Sequence, residues 1–171
     1  MDVRLESWDP DNRNGLEDLY ANTDQQHCLV QILVPLMEPQ TSHYLQAVRD
    51  HEVDGKPFIC FAVKENDHII GKIELTRSYG SGAELDLVIR KEYMHKGYGY
   101  EALRLLIATV SREQWCSHIF AYTVTDNEAM IALLEKSGFR KGRRFKADVM
   151  VPYGGMFTMM EKTGIEYYLE V

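Results

Sequence analysis

The stretch from Glu84 to Ala102, ELDLVIRKEYMHKGYGYEA, limits the fold more than any other part of the chain. It alternates apolar and polar side chains as a strand does, passes into a basic loop punctuated by Gly97 and Gly99, and continues as a helical pattern from about Tyr98 to Arg112. Ala83, Leu85, Leu87 and Ile89 share one face of that strand, and Glu84, Asp86 and Val88 share the other. Glycines in the loop let backbone N–H groups come close to an anion at the positive end of the helix. The unit therefore has the form of a phosphate cradle, with Arg90, Lys91, His95 and Lys96 beside it.

The flanking segments say what kind of sheet holds this unit. Upstream, Phe58 to Val63 and Ile69 to Thr76 are strand-like runs joined by the turn Glu65-Asn66-Asp67, an antiparallel hairpin. Downstream, Ala102, Leu103, Leu106, Ile107 and Val110 form a helical stripe before a further alternating run, Ser117 to Thr125. Strand, helix and strand in that order predict a parallel pair with a right-handed crossover. Val3 to Trp8 reads as a first strand, and Leu16, Leu19 and Tyr20 as a helical turn. Cys28 to Met37 is apolar but bounded by prolines, so its type stays open. Thr41 or Ser42 is expected to cap a helix carrying Tyr44, Leu45 and Val48 to about His51. Asp126-Asn127 caps another that Gly138 stops, and Arg143 to Val151 with Phe157 to Lys162 reads as a final hairpin across Pro152-Tyr153-Gly154-Gly155. The sum is a single α+β domain over residues 1–171 with a mixed, largely antiparallel sheet.

Composition excludes several functions. A formal net charge of −7 argues against a general nucleic-acid binder. The acidic N-terminus lacks an apolar leader segment and no run is long enough to cross a membrane, so a cytoplasmic protein without membrane partners is expected. Cys28, Cys60 and Cys116 are widely spaced with no CxxC pair and no His at metal spacing, which predicts reduced thiols and no metal site. Charge is unevenly spread: Asp2, Glu6, Asp9, Asp11, Glu17, Asp18 and Asp24 face only Arg4 and Arg13 in sequence, whereas Arg140, Lys141, Arg143, Arg144 and Lys146 cluster. These are either solvated faces or a cation-attracting substrate side and an anion-attracting cofactor side.

Gly97 to Ala102 also fits the dinucleotide pattern GxGxxA. That fingerprint belongs on a tight turn after the first strand of a parallel sheet, whereas here several residues separate Ile89 from Gly97 and the preceding strands are antiparallel. A nucleotide-dependent oxidoreductase is therefore disfavoured.

The order of parts instead resembles the GNAT family of N-acetyltransferases over nearly the whole chain. Their acetyl-CoA signature places Gln or Arg, two residues, Gly, one residue and then Gly or Ala after a strand; Tyr93 to Gly99 matches both glycines, with Met94 at the Gln/Arg position. A second signature, Asn followed by Gly-Phe, matches Asn127, Gly138 and Phe139. The resemblance implies a central sheet of about six or seven strands with about four flanking helices. It implies that acetyl-CoA is the co-substrate, that the backbone of Leu87, Val88 and Ile89 pairs with its pantetheine arm, and that His95, Lys96, Gly97, Tyr98 and Gly99 hold its pyrophosphate. Asn127 would reach the pantetheine or thioester region, or serve only as a helix cap.

Glu84 matches a position where many members carry Glu, and is favoured over Asp86 as base or ammonium anchor; the alternative is a carboxylate paired with a structural Arg. The family's usual acid, a Tyr, is replaced by Leu134, which leaves Tyr122 or Tyr153 to protonate the leaving thiolate, or no dedicated acid. The expected activity is direct acetyl transfer to a primary amine, carried by a small molecule or a peptide: a polyamine, an aminoglycoside-like amine or a protein N-terminus, as in the spermidine and ribosomal-protein alanine acetyltransferases that the chain is similar to. A homodimer is left open. The rival is a degenerate member that binds acyl-CoA without catalysis, suggested by Leu134 and Met94.

Overall fold

In the computed structural model, the described residues are 2–23, 38–78, 80–153 and 156–171, with side chains given for all of these except 150–153, 156 and 157. The unassigned run Cys28 to Met37 and the pair Gly154-Gly155 lie outside them. The elements in chain order are β1 (Val3–Ser7), α1 (Arg13–Ala21), α2 (Gln40–Asp50), β2 (Glu52–Val53), β3 (Lys56–Glu65), β4 (His68–Arg77), β5 (Gly82–Ile89), α3 (Tyr98–Glu113), β6 (His118–Val124), α4 (Glu128–Lys136), β7 (Arg140–Tyr153) and β8 (Met156–Glu170).

The sheet has the order β1-β3-β4-β5-β6-β8-β7, with β2 paired to β3 outside that path. The eighth strand, beyond the six or seven expected, is the two-residue β2. Every pairing is antiparallel except β5 with β6, which α3 joins by a crossover. The alternation of β5 distributes as its sequence requires. Ala83 and Leu85 are buried with Leu87 and Ile89 packed beside them, in a core that includes Ala102, Leu103, Leu106 and Val110 of α3 and Leu134 of α4. Val88, on the opposite face, packs with Leu16, Leu19 and Tyr20 of α1 and Leu45 and Val48 of α2. The sheet is thus covered on both faces, α3 and α4 on one and α1 and α2 on the other.

Local chemistry explains the helix starts. The Asn12 side chain accepts a hydrogen bond from Gly15 N at 3.0 Å and opens α1. At α2 the expected cap is not found: Pro39 occupies the N-cap position, Thr41 and Ser42 lie inside the first turn, and the Ser42 hydroxyl donates to Glu38 at 2.8 Å. Proline has no N–H to satisfy and its fixed φ suits a helix entry. The final hairpin is longer than expected on both arms, since β7 begins at Arg140 and β8 runs on past Lys162 to Glu170. No helix among the described residues is long and apolar enough to cross a membrane.

Candidate active site

β5 and β6 pair over only three positions, Gly82 with His118, Ala83 with Ile119 and Glu84 with Phe120. Beyond them each strand follows its other neighbour: β5 stays paired with β4 as far as Ile89 opposite Gly71, and β6 stays paired with β8 as far as Val124 opposite Gly164. The strands therefore part, and a cleft of about 380 Å³ opens between them. It is lined by Leu85 to Ile89 from β5, by Tyr122 and Thr123 from β6, and by Asn127, Met130 and Leu133 at α4. Among the described residues, backbone N–H and C=O groups on the β6 side of Leu87–Ile89 have no strand partner and are strong hydrogen-bonding groups that need one. An extended, amide-bearing arm fits this requirement.

The loop after β5 closes one end of the cleft. His95 has φ 57° and Gly97 φ 91°, the left-handed conformation that glycine adopts without a Cβ clash. Glu101 N donates to Gly97 O at 3.1 Å, so Tyr98, Gly99 and Tyr100 supply N–H groups ahead of the first bonds of a sixteen-residue helix. At Gly99 a Cβ would sit in ordinary contact, 3.7 Å from Leu133 and Leu87, which accounts for a signature that accepts Gly or Ala there. The donors and the unpaired strand edge together fit a diphosphate followed by a pantetheine-like arm.

Of the residues singled out from sequence, Leu87, Val88, Ile89, His95, Gly97, Gly99, Tyr122 and Asn127 line the cleft, whereas Glu84, Lys96 and Tyr98 do not. Lys96 Nζ donates back to Glu92 O at 2.6 Å. The Tyr98 hydroxyl donates to Glu65 at 2.6 Å, and its ring meets Tyr93 edge-on at 5.3 Å. Both side chains brace the loop, leaving Tyr98 its backbone N–H to contribute. Lys136 was not singled out. It lines the cleft with its ammonium 4.3 Å from the ring centre of Tyr100. In the sequence it reads as an ordinary cation near a helix C-terminus.

Asn127 is both the cap of α4 and a cleft-lining residue. Its Oδ1 accepts from Met130 N at 3.1 Å as the cap of α4, and the residue lines the cleft. Because the backbone N–H is the donor, the oxygen is committed to the cap and the amide nitrogen remains.

The acidic face lies where the strands part. Glu84 is half-buried just before the opening, and burial, reinforced by the charge of Asp86 and opposed by Lys56, raises its carboxyl above the ordinary value. No arginine pairs with it among the described residues. Asp86 and Tyr122, each two residues beyond the Glu84–Phe120 pair, flank the opening from opposite strands and both line it. The Tyr122 phenol is raised by burial, then by Glu166 and Glu84, with Arg143 opposing, so it stays protonated at neutral pH. Leu134 is fully buried and lies in the core, so the helix offers no group at that position. The Tyr153 side chain is outside those described.

The uneven charges are largely neutralised. Glu6 pairs with Lys64 at 2.5 Å, Asp11 with Arg49 at 2.7 Å, Glu17 with Arg13 at 2.9 Å, and Asp18 with Arg90. On the basic run, Arg140, Arg143 and Lys146 face Glu170, Glu166 and Glu161 of β8 at 3.0, 3.5 and 3.0 Å. Among the described residues neither run lines the cleft, which favours the solvated-face reading. Cys60 and Cys116 are buried, and burial pushes the Cys60 thiol up to about 12; Cys28 lies outside the described residues. Among the described residues no three His, Cys, Asp or Glu side chains are grouped to hold a metal ion.

No curated protein matches the chain. Solved structures share its fold at low identity. RimL, a ribosomal L7/L12 alpha-N-protein acetyltransferase in complex with coenzyme A, aligns at TM-score 0.77 and 14% identity over 99% of this chain and 94% of that one. The spermidine/spermine N-acetyltransferase SpeG from Vibrio cholerae aligns at 0.72 and 15%, over 98% and 93%. The ribosomal-protein-S18-alanine N-acetyltransferase from Escherichia coli aligns at 0.67 and 13%, over 99% and 94%. The model of the acetyltransferase (GNAT) domain matches residues 2–140. With both signatures set around the parted strands and most of the chain matched, this protein belongs to the GNAT acetyltransferase family, whose members are acetyl-CoA-dependent N-acyltransferases.

Proposed function

We propose that this protein transfers an acetyl group from acetyl-CoA directly to a primary amine on a small molecule or peptide. The observation that carries this reading is the cleft where β5 and β6 part, with free strand edge on one wall and helix N–H donors at one end. The backbone of Leu87–Ile89 would take the pantetheine arm as an added strand, and the N–H groups of the His95–Gly99 loop, with those of Tyr98 to Tyr100, the diphosphate. Acetyl-CoA supplies an activated thioester carbonyl.

An alkylammonium must lose a proton before its nitrogen can attack, at a cost of roughly 4.6 kcal/mol at pH 7. Glu84, just outside the cleft lining, is suited to accept it through a water: its carboxyl is raised above the ordinary value and, among the described residues, pairs with no arginine. The nitrogen lone pair then forms the C–N bond as the C–S bond breaks, and sulfur leaves with the bonding electrons. Tyr122, protonated at neutral pH and across the opening, would give the departing thiolate a proton. Among the described residues the thiols of Cys60 and Cys116 are buried and offer no nucleophile. A panel of amines assayed by release of the CoA thiol tests the reading. Turnover with alkylamines is expected; firm acetyl-CoA binding with no turnover on any amine would instead favour the non-catalytic binder that the burial of Leu134 suggests.

A further inference from the structure

The second carboxylate at the opening has surroundings unlike those of Glu84. Lys72 Nζ donates to Asp86 Oδ2 at 2.9 Å and to Glu74 Oε2 at 2.7 Å. The Lys72 side chain is 1% exposed, with the ring centres of Tyr44 and Tyr20 at 5.0 and 5.7 Å from its nitrogen. The Tyr44 hydroxyl donates to the same Glu74 oxygen at 2.5 Å and lies 3.2 Å from Cys60 Sγ. Five elements, α1, α2, β3, β4 and β5, thus converge on one buried ammonium.

Burial alone would discharge Lys72, but Asp86 and Glu74 outweigh it and hold the ammonium well above its ordinary value. One cation shared by two carboxylates leaves the cluster with net negative charge when all three are ionised. The two carboxylates are not equivalent. Glu74 has Tyr44 as a second donor, whereas Asp86 Oδ1 has no hydrogen-bond partner among the described residues. Asp86 is also the member that lines the cleft, with 16% of its side chain exposed. A carboxylate already bonded to an ammonium is a weak base but keeps its attraction for a second cation.

We propose that Asp86 anchors the acceptor in its ammonium form, and that Lys72, Glu74 and Tyr44 are the positioning network that holds Asp86 aligned across from Tyr122. This rests on the amine-acetyltransferase reading and deepens it: the site selects aliphatic amines that arrive protonated over neutral arylamines. Anchoring and deprotonation are then divided between two carboxylates on one strand face, Asp86 holding the cation and Glu84, two residues back, receiving its proton. The other titratable groups facing Asp86 are Lys72 and Glu74 on β4, Cys60 on β3, Tyr20 on α1, Tyr44 on α2 and Tyr122 on β6; burial raises Tyr20, Tyr44 and Cys60, which stay neutral.

Asp86→Asn keeps the shape and a hydrogen-bond acceptor for Lys72. With n-butylamine its KM is expected to rise about tenfold or more, while KM for aniline stays within about twofold and acetyl-CoA affinity is retained. A series of alkylamines made less basic by fluorine substitution supplies a readout that a purely structural role would not move. At fixed pH the wild-type KM should climb as the protonated fraction falls, and the dependence should vanish in Asp86→Asn. Lys72→Met should raise the amine KM at neutral pH and recover as pH increases, because two unpaired carboxylates then share a proton; if that variant does not fold, Tyr44→Phe should show a smaller change of the same sign. Unchanged n-butylamine KM in active Asp86→Asn overturns the proposal. If the wild-type protein acetylates no amine, the functional reading fails separately, and n-butylammonium binding to the CoA-bound protein by calorimetry decides on Asp86: binding lost in Asp86→Asn supports the anchor, equal binding refutes it.

Discussion

Asn127 caps α4 through Oδ1, and a contact with acetyl-CoA would fall to its amide nitrogen, so substitutions can separate the two. Its Oδ1 caps α4 through Met130 N at 3.1 Å, and loss of such a cap costs about 1 kcal/mol. In a chain of 171 residues that corresponds to a fall in Tm of roughly 2–4 °C. Asn127→Ala should therefore lose both that stability and affinity for acetyl-CoA. Asn127→Ser retains a capping oxygen but no amide nitrogen, and should melt within about 1 °C of the parent while binding acetyl-CoA at least several-fold more weakly, consistent with loss of one hydrogen bond. Thermal denaturation followed by circular dichroism and calorimetric titration with acetyl-CoA measure the two effects on the same samples. The reasoning is refuted if Asn127→Ser binds acetyl-CoA like the parent, which would make the residue a cap alone, or if it destabilises as much as Asn127→Ala, which would mean that the cap is not what Oδ1 contributes.

The remaining predictions concern the loop, the base and one cation. Gly97→Asp forces a side chain into a φ of 91° and sets an anion beside the helix N-terminus, so acetyl-CoA affinity should fall by more than about tenfold in a folded protein, measured by calorimetry. Glu84→Gln should lower turnover about 100-fold near neutral pH and partly recover at high pH, where more amine arrives deprotonated. Because burial and Asp86 raise Glu84 above its ordinary 4.5, the acid limb of the wild-type pH–rate profile should lie above that value and be absent in the variant. The same shift has a sign in stability: the folded state takes up the Glu84 proton before the unfolded chain does, so this group favours folding more as pH falls through that window. Lys136→Gln should weaken acetyl-CoA binding a few-fold at low ionic strength, with the difference shrinking as salt is added.

Much of the fold could be read from periodicity because most elements have one wet and one dry face. The two faces of β5 came out as their alternation required, and α3 buries the stripe that its spacing marked. The end of β8 escaped because Gly164 looks like a strand terminator. In the structure a Cβ there would lie 2.5 Å from the Phe145 ring, so the glycine makes room for an aromatic neighbour across the hairpin and the strand continues through Ile165, Tyr167 and Leu169. The shape of the loop after β5 was equally accessible, since its glycines and the start of α3 mark it in the sequence. Side-chain roles were harder: Lys96 and Tyr98 sit in the motif yet turn away to Glu92 and Glu65. The Lys72 cluster was missed altogether, because it joins residues brought together by strand register and by two helices, with no local spacing to announce it.

The three-residue seam between β5 and β6 gives the sheet a mechanical character of its own. Two sub-sheets, β1-β3-β4-β5 and β6-β8-β7, are fastened at one end and wedged apart at the other, like a partly opened zipper. A donor arm lying along Leu87–Ile89 would act as a further tooth, carrying hydrogen bonds to where the seam stops. Its binding should slow hydrogen exchange along the open edge and couple motions of the two halves, so the acceptor would meet a stiffer molecule than the donor did.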